Sequence, residues 1–269
     1  MLNGQELAEL VNEELWNAGK RNATDYLDAY KNPSTIGEGY NMFNALKRTG
    51  FYQKHNLSIS GGSENANFRV NSLYSTDKPI FIKEDTKNYG MQFISDFTKG
   101  KFKFGETVSI KRSNHDWSDK NLLIALKWAP TLPLYDANSS TGFAGAGNGT
   151  DVANSLAQAN LNWHKGETTS VNGNAWMTYE ILPGLKYKFN MGVDMYRYMV
   201  QDYEAEYSIP YQNHTPDSYS MASYKTNRLL YENTLSYEKS IGKHSLNALF
   251  GVSSDETKSL SVSAGAQVS

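Results

Sequence analysis

The chain has 269 residues, with 26 basic against 28 acidic side chains and a formal net charge of −2, so it carries no field favouring nucleic acid or an anionic membrane surface. It has no cysteine, which excludes disulfides and cysteine-based metal sites. Mean hydropathy is negative and no run of about 18 apolar residues occurs, which excludes a transmembrane helix but not a membrane β-barrel, because alternation halves the hydropathy of each strand.

Asn3 can cap a helix, with Glu6 placed to complete a capping box. Leu7, Leu10, Val11 and Leu15 then recur at helical spacing, and Gly19 can end the helix. Residues 20–50, with Asn32-Pro33-Ser34 and Gly37-Glu38-Gly39, read as loop, so 1–50 is expected to be a loop region bearing one short amphipathic helix. Strands are predicted from residue 51: Phe51 to Ser60, Asn67 to Tyr74, Tyr89 to Phe97 and Phe102 to Ile110. The segment 113–169 breaks this rhythm with a short helical candidate (Lys120 to Trp128), a proline-containing stretch and the glycine-rich Thr141 to Thr150. Structureless connections longer than about 12–15 residues are usually functional or disordered.

Ser170 to Met199 alternates in a period of two. Val171, Gly173, Ala175, Met177, Tyr179 and Ile181 oppose Ser170, Asn172, Asn174, Trp176, Thr178 and Glu180. After Leu182-Pro183-Gly184, Leu185, Tyr187, Phe189, Met191, Val193 and Met195 oppose Lys186, Lys188, Asn190, Gly192, Asp194 and Tyr196. Strict alternation is a strand signal, and Pro-Gly supplies the two central positions of a type II turn. Each arm exceeds the five or six residues of an ordinary strand and reaches the roughly 9–11 that cross a bilayer. A soluble sheet with one face on a core shows the same alternation. A second long loop (200–225) and a last hairpin turning at Ser240 to Lys243 follow, and 255–269 reads as a polar loop or tail.

Eight strands are thus expected across 51–254, joined alternately by short turns (near 62, 100, 183 and 241) and long loops (near 80, 140 and 212). Short turns at one end and long loops at the other is the asymmetry of an outer-membrane meander. The expected fold is all-β: an antiparallel up-and-down meander of a transmembrane β-barrel, with short helices in its loops; that it forms part of a large transmembrane β-barrel is what the resemblance given below implies. Val171, Met177, Tyr187, Phe189, Met191 and Val193 are then expected to face lipid.

The sequence offers little chemistry. The histidines (His55, His115, His164, His214, His244) are scattered without a second ligand three to five residues away, so no metal site is expected. Asp136-Ala137-Asn138 begins like a calcium loop, but its twelfth position is Gly147. Gly145-Ala146-Gly147 lacks the strand and helix of a dinucleotide fingerprint. No nucleophile elbow occurs; neither an enzyme nor a cofactor is expected. Trp117, Trp128, Tyr135 and Trp163 in the long loops are candidates for stacking on a sugar or gripping a peptide, or for packing the loop on itself.

Several phrases resemble one family. Arg48-Thr49-Gly50-Phe51-Tyr52 through Gly61-Gly62 is similar to the segment by which SusC/RagA-like TonB-dependent transporters enter an early barrel strand. Ala129-Pro130 to Pro133-Leu134-Tyr135-Asp136 resembles their Pro-x-Tyr-Asp loop phrase, and Ala157-Gln158-Ala159-Asn160-Leu161 the segment that follows it. Tyr179-Glu180-Ile181-Leu182-Pro183-Gly184-Leu185-Lys186 resembles their central hairpin turn, and Tyr231 to Tyr237 with Gly242 to Leu249 the next.

The resemblance implies an outer-membrane transporter of a Gram-negative, Bacteroidota-like cell, importing oligosaccharides or peptides. A SusD-like surface lipoprotein would serve as lid, TonB would supply energy, and no nucleic acid would be involved. The signal peptide, plug and TonB-contacting box of that family have no counterpart in the sequence, so the chain is expected to be an interior piece of the barrel wall, not active alone. A soluble, secreted β-sheet module binding glycan through its aromatics is the alternative.

Overall fold

The structure is a computed structural model and describes residues 2–20, 22, 30–119, 121–145, 152–209, 212–214 and 216–268. The glycine-rich stretch and the calcium-like loop fall partly, through 146–150, outside the described residues, as does Lys120 of the predicted helix.

Among the described residues four α-helices stand outside the main sheet: α1 (Gly4–Asn17), α2 (Met42–Ala45), α3 (Leu122–Lys127) and α4 (Ser155–Leu161). All four begin on an asparagine whose side chain accepts from the third helical amide: Asn3 from Glu6, Asn41 from Asn44, Asn121 from Ile124 and Asn154 from Ala157. Each cap satisfies one of the amides that a helix start leaves without a partner. At Asn3 the capping box is complete, since the Glu6 carboxylate accepts from the Asn3 amide at 2.9 Å.

The strands are β1 (Phe51–Gly62), β2 (Ala66–Lys78), β3 (Asp85–Lys99), β4 (Phe102–Trp117), β5 (Trp163–Leu182), β6 (Leu185–Glu204), a small hairpin of β7 (Tyr207–Ile209) and β8 (Gln212–His214), then β9 (Asp217–Ile241) and β10 (His244–Val268). Eight of them form one antiparallel sheet in the order β1-β2-β3-β4-β5-β6-β9-β10. β10 includes the polar run from residue 255 onward, paired with β9 up to Val268 opposite Asp217. The Pro183-Gly184 turn forms as its residues dictate. Gly184 has φ 82°, and a Cβ there would lie 2.1 Å from the Glu238 carbonyl oxygen, so both the turn and the passing strand require glycine.

One expectation is corrected. The meander and its short helices are present, but the sheet is open rather than part of a closed barrel: among the described residues β1 bonds only to β2, and β10 only to β9. Alternation and strand length encode which face is apolar and how tall a strand is, and these are the same in an open sheet and a closed one. Closure needs the two edges to pair, which a period of two does not specify.

The core is not on this sheet. Among the described residues every buried hydrophobic side chain lies outside the eight strands. Met42, Leu46, Ala125, Trp128, Leu134, Leu156 and Ala159 form one cluster, with Phe81, Ile82 and Phe143 against it. They come from α2, α3, α4 and the intervening segments, and make a packed cap at the long-loop end. Asn154, fully buried, pins it: Nδ2 donates to the carbonyls of Leu134 (3.1 Å) and Ala144 (2.7 Å) while Oδ1 caps α4. Arg48 ties the lead into β1 to the β2–β3 loop, with Nε 3.1 Å from the Pro79 carbonyl and Nη2 2.8 Å from Asp85 Oδ1.

Candidate functional site on the two faces of the sheet

Register alone sorts the side chains of the sheet. Val171 pairs with Met195, Gly173 with Val193, Ala175 with Met191, Met177 with Phe189 and Tyr179 with Tyr187, so all six residues expected to face lipid lie on one face. The same face continues through Phe104, Val108 and Ile110 of β4, Met91, Phe93 and Phe97 of β3, and Leu229, Tyr231 and Leu235 of β9. Many are well exposed, Met91 by 59% and Phe250 by 68%. A contiguous apolar surface of this extent requires an apolar partner. Towards the cap it ends in charge, with Arg112 and Glu167 paired at 2.6 Å and Arg197 and Lys225 opposite one another. Glu106 is an acidic exception inside the band; its Oε1 accepts from Ser95 at 3.2 Å.

The opposite face is polar. One register row crosses all eight strands as Ser58, Asn71, Gln92, Ser109, Asn172, Asp194, Arg228 and Thr257, with Asp255 two residues away along β10 on the same face. Ser58 donates to Asn71 (2.8 Å), Asn71 to Gln92 (3.0 Å) and Asn172 to Asp194 (2.8 Å). Arg228 grips Asp255 with two nitrogens, at 2.9 Å (Nε to Oδ1) and 2.5 Å (Nη2 to Oδ2). Asn174, Asn190 and Glu232 make a parallel chain at 2.9 and 2.8 Å. Such rows satisfy one another laterally and leave the remaining donors and acceptors to water or a polar ligand.

At the cap end, rings stack along β4 and across to β5. His115 lies on Trp117 (centroids 5.4 Å) and Trp117 on His164 (5.6 Å), with Thr86 at 2.6 Å from His115 Nδ1. His164, itself buried, has Nδ1 2.6 Å from Asp202; Nε2 is 3.1 Å from Asp119 but out of hydrogen-bonding alignment. Asn162 bridges Asp119 (2.9 Å) and the Ala205 amide (3.1 Å), so this cluster joins the cap to β5 and β6. The Tyr203 hydroxyl donates to Asp217 at 2.9 Å, and that carboxylate holds the phenol above its usual range.

The four aromatic candidates are not brought together. Trp128 lies in the cap core, its Nε1 donating to the Leu132 carbonyl at 3.1 Å. Trp117 is in the ring stack on the polar face. Trp163 stacks on Tyr203 (5.7 Å) with the Lys165 ammonium 4.5 Å from its centroid. Tyr135 stacks on Phe143 (5.6 Å) and is 62% exposed. Sequence reasoning did not find the polar row, although its signal is plain: Ser, Asn, Gln and Asp recur at alternate positions in strands whose other positions are apolar. Among the described residues no group of three His, Cys, Asp or Glu side chains is placed to hold a metal ion.

No family model matches the chain. In sequence it is 24% identical over 243 residues, 81% of its own length, to TonB-dependent receptor P3 of Formosa agariphila. The chain is a remote relative of the TonB-dependent receptors. Solved structures agree in fold. This relative of those receptors superposes over 99% of its length on a chain of the RagAB peptide transporter, with TM-score 0.75 and 19% identity. Against the closed-closed state of the RagAB peptide importer the TM-score is 0.71 at 18% identity, again over 99% of the chain. The chain spans 23% of the Formosa receptor and 33% of each of these two RagAB chains.

Proposed function

We propose that the chain is a segment, not active alone, of an outer-membrane TonB-dependent importer of peptides or oligosaccharides, working with a SusD-like surface lipoprotein and energised through TonB. Its apolar face meets lipid, its polar face borders the aqueous path, and the cap end, where the segments expected as long loops (113–169 and 200–225) lie, faces outward where substrate and lid arrive. Residues 51–254 carry the function in this reading, with Tyr135, Trp163 and Trp117 as the aromatics open to ligand.

The observation that carries it is the segregation of the two faces across the whole sheet, in a chain whose sequence aligns with a TonB-dependent receptor over most of its length. From Val171 to Ile181 the apolar positions cover about 33 Å at ~3.3 Å per residue, close to the roughly 30 Å of a bilayer's hydrocarbon core.

The chain lacks cysteine, so single-cysteine spin labels report one position each. In bilayers, labels at Tyr187 and Phe189 are expected to be relaxed by oxygen and shielded from a nickel chelate, with the reverse at Lys186 and Lys188. Aqueous surroundings at both Tyr187 and Phe189, with a monodisperse chain in plain buffer, would instead support a soluble glycan-binding sheet.

A further inference from the structure

Two open cavities lie side by side on the polar face over β1 to β5, of about 420 and 360 Å³. They share Leu73 and Lys111 and so form one trough. Leu73 and Gly90, register partners on β2 and β3, make its floor. Lys54 and Lys111 stand at its sides, Lys54 opposite Ser75 on β2 and Lys111 opposite Gly90 and Ser170. Neither lysine has an ion pair among the described residues; the nearest carboxylate in register on this face, Asp77, is opposite Tyr52. Elsewhere on the same face Lys186 faces Glu180, and Arg228 grips Asp255.

We infer that this trough is a binding site for an acidic peptide in extended form, the two ammonium groups pairing with its carboxylates. The walls are already set for a peptide backbone: Asn71 and Gln92 are held by each other, Asn88 Nδ2 donates to Ser75 at 3.2 Å, and Ser113, Thr168 and Ser170 offer hydroxyls. Five strands at ~4.8 Å spacing span about 19 Å, the length of an extended peptide of about six residues. Lys54 and Lys111 are three strands apart and offset by two residues along the strand, about 16 Å, which suits acidic residues roughly five positions apart in the ligand. Charge-assisted bonds at both points give selectivity that hydroxyls and amides alone would not. The biological sense of the site rests on the transport reading above, whereas its existence does not.

The test is fluorescence anisotropy of labelled hexaglutamate and hexaglutamine with the full chain in detergent micelles, folding being checked by circular dichroism. Hexaglutamate is expected to bind, and hexaglutamine to bind about tenfold or more weakly. Lys54→Gln with Lys111→Gln should abolish the preference. Gly90→Tyr should block the trough with both lysines in place, since a Cβ at Gly90 meets only Leu73, at 3.4 Å and beyond. Lys186→Gln with Lys188→Gln should leave binding as it was. Equal binding of the two peptides, survival of the preference in the folded Lys54/Lys111 variant, or an equal loss in the Lys186/Lys188 variant would each overturn the assignment. None of these outcomes alters the label pattern that tests lipid contact, so the two readings fail separately.

Discussion

The indole of Trp176 lies across Gly105, its register partner on β4, so closely that a Cβ added to the glycine would come within 2.6 Å of the ring. The glycine leaves a gap on the polar face and the tryptophan fills it, with the Lys188 ammonium 5.9 Å from the ring centroid. Gly105→Ala is therefore expected to destabilise the sheet by about 1–3 kcal/mol, as overpacking does. Because the clash is with one side chain, the same change in a Trp176→Ala background should be nearly neutral. Unfolding of the four members of this cycle checks it, and equal costs in both backgrounds would contradict the contact.

Asn154 supplies an N-cap and two buried donors to the cap. Asn154→Ala removes all three bonds and leaves the Leu134 and Ala144 carbonyls without the amide that now serves them. The loss is expected to reach about 3 kcal/mol, combining a missing cap with buried acceptors left unpaired. Asn154→Asp keeps the cap but not the donors and should fall between the two. Limited proteolysis of 129–145 reads the order; cleavage of Asn154→Ala at the unsubstituted rate would refute it.

The facing of the central hairpin predicts an asymmetry in bilayers. Phe189→Arg should cost roughly 2–4 kcal/mol near the midplane, while the neighbouring Lys188→Arg should cost little. Glu106 tests the same facing from the other side: its carboxylate sits among apolar residues, so Glu106→Leu should be neutral or stabilising in lipid. A strong loss on Glu106→Leu would mean that this face meets something polar.

Tyr203 gives a pH-dependent expectation. Asp217 favours the protonated phenol, so the folded state holds that proton more tightly than the unfolded chain. The contribution is fully present below the ordinary phenol range and is lost as pH rises through the raised value. Asp217→Asn should bring the phenolate absorbance transition back towards that of a free tyrosine; an unshifted titration would show that the bond is not formed.

The eight strands were legible in the sequence because each has one face that must be apolar, which imposes a period of two, and because Pro183-Gly184 marks its turn by backbone preference alone. The cap was not. Met42, Leu46, Trp128, Leu134 and Leu156 come from separate segments that each contribute one or two apolar residues with no repeat, and only their meeting in space makes a core. The signal nearest to hand was the asparagine before each short helix, read at Asn3 but equally present at Asn41, Asn121 and Asn154. Whether the sheet closes was also beyond reach, since edge pairing leaves no mark on alternation. Of the site, the apolar face followed from the pattern at residues 170–199, while the trough between Lys54 and Lys111 depends on the register of five strands at once.

Because the buried apolar mass sits in the cap and the long ladder of backbone bonds sits in the sheet, the two should answer differently to urea. Losing the cap uncovers a compact cluster and should follow a steep denaturant dependence, whereas the strands have few covered side chains left to expose and should melt over a broad range. A chain of this design owes its solvent tolerance to one end and its height to the other.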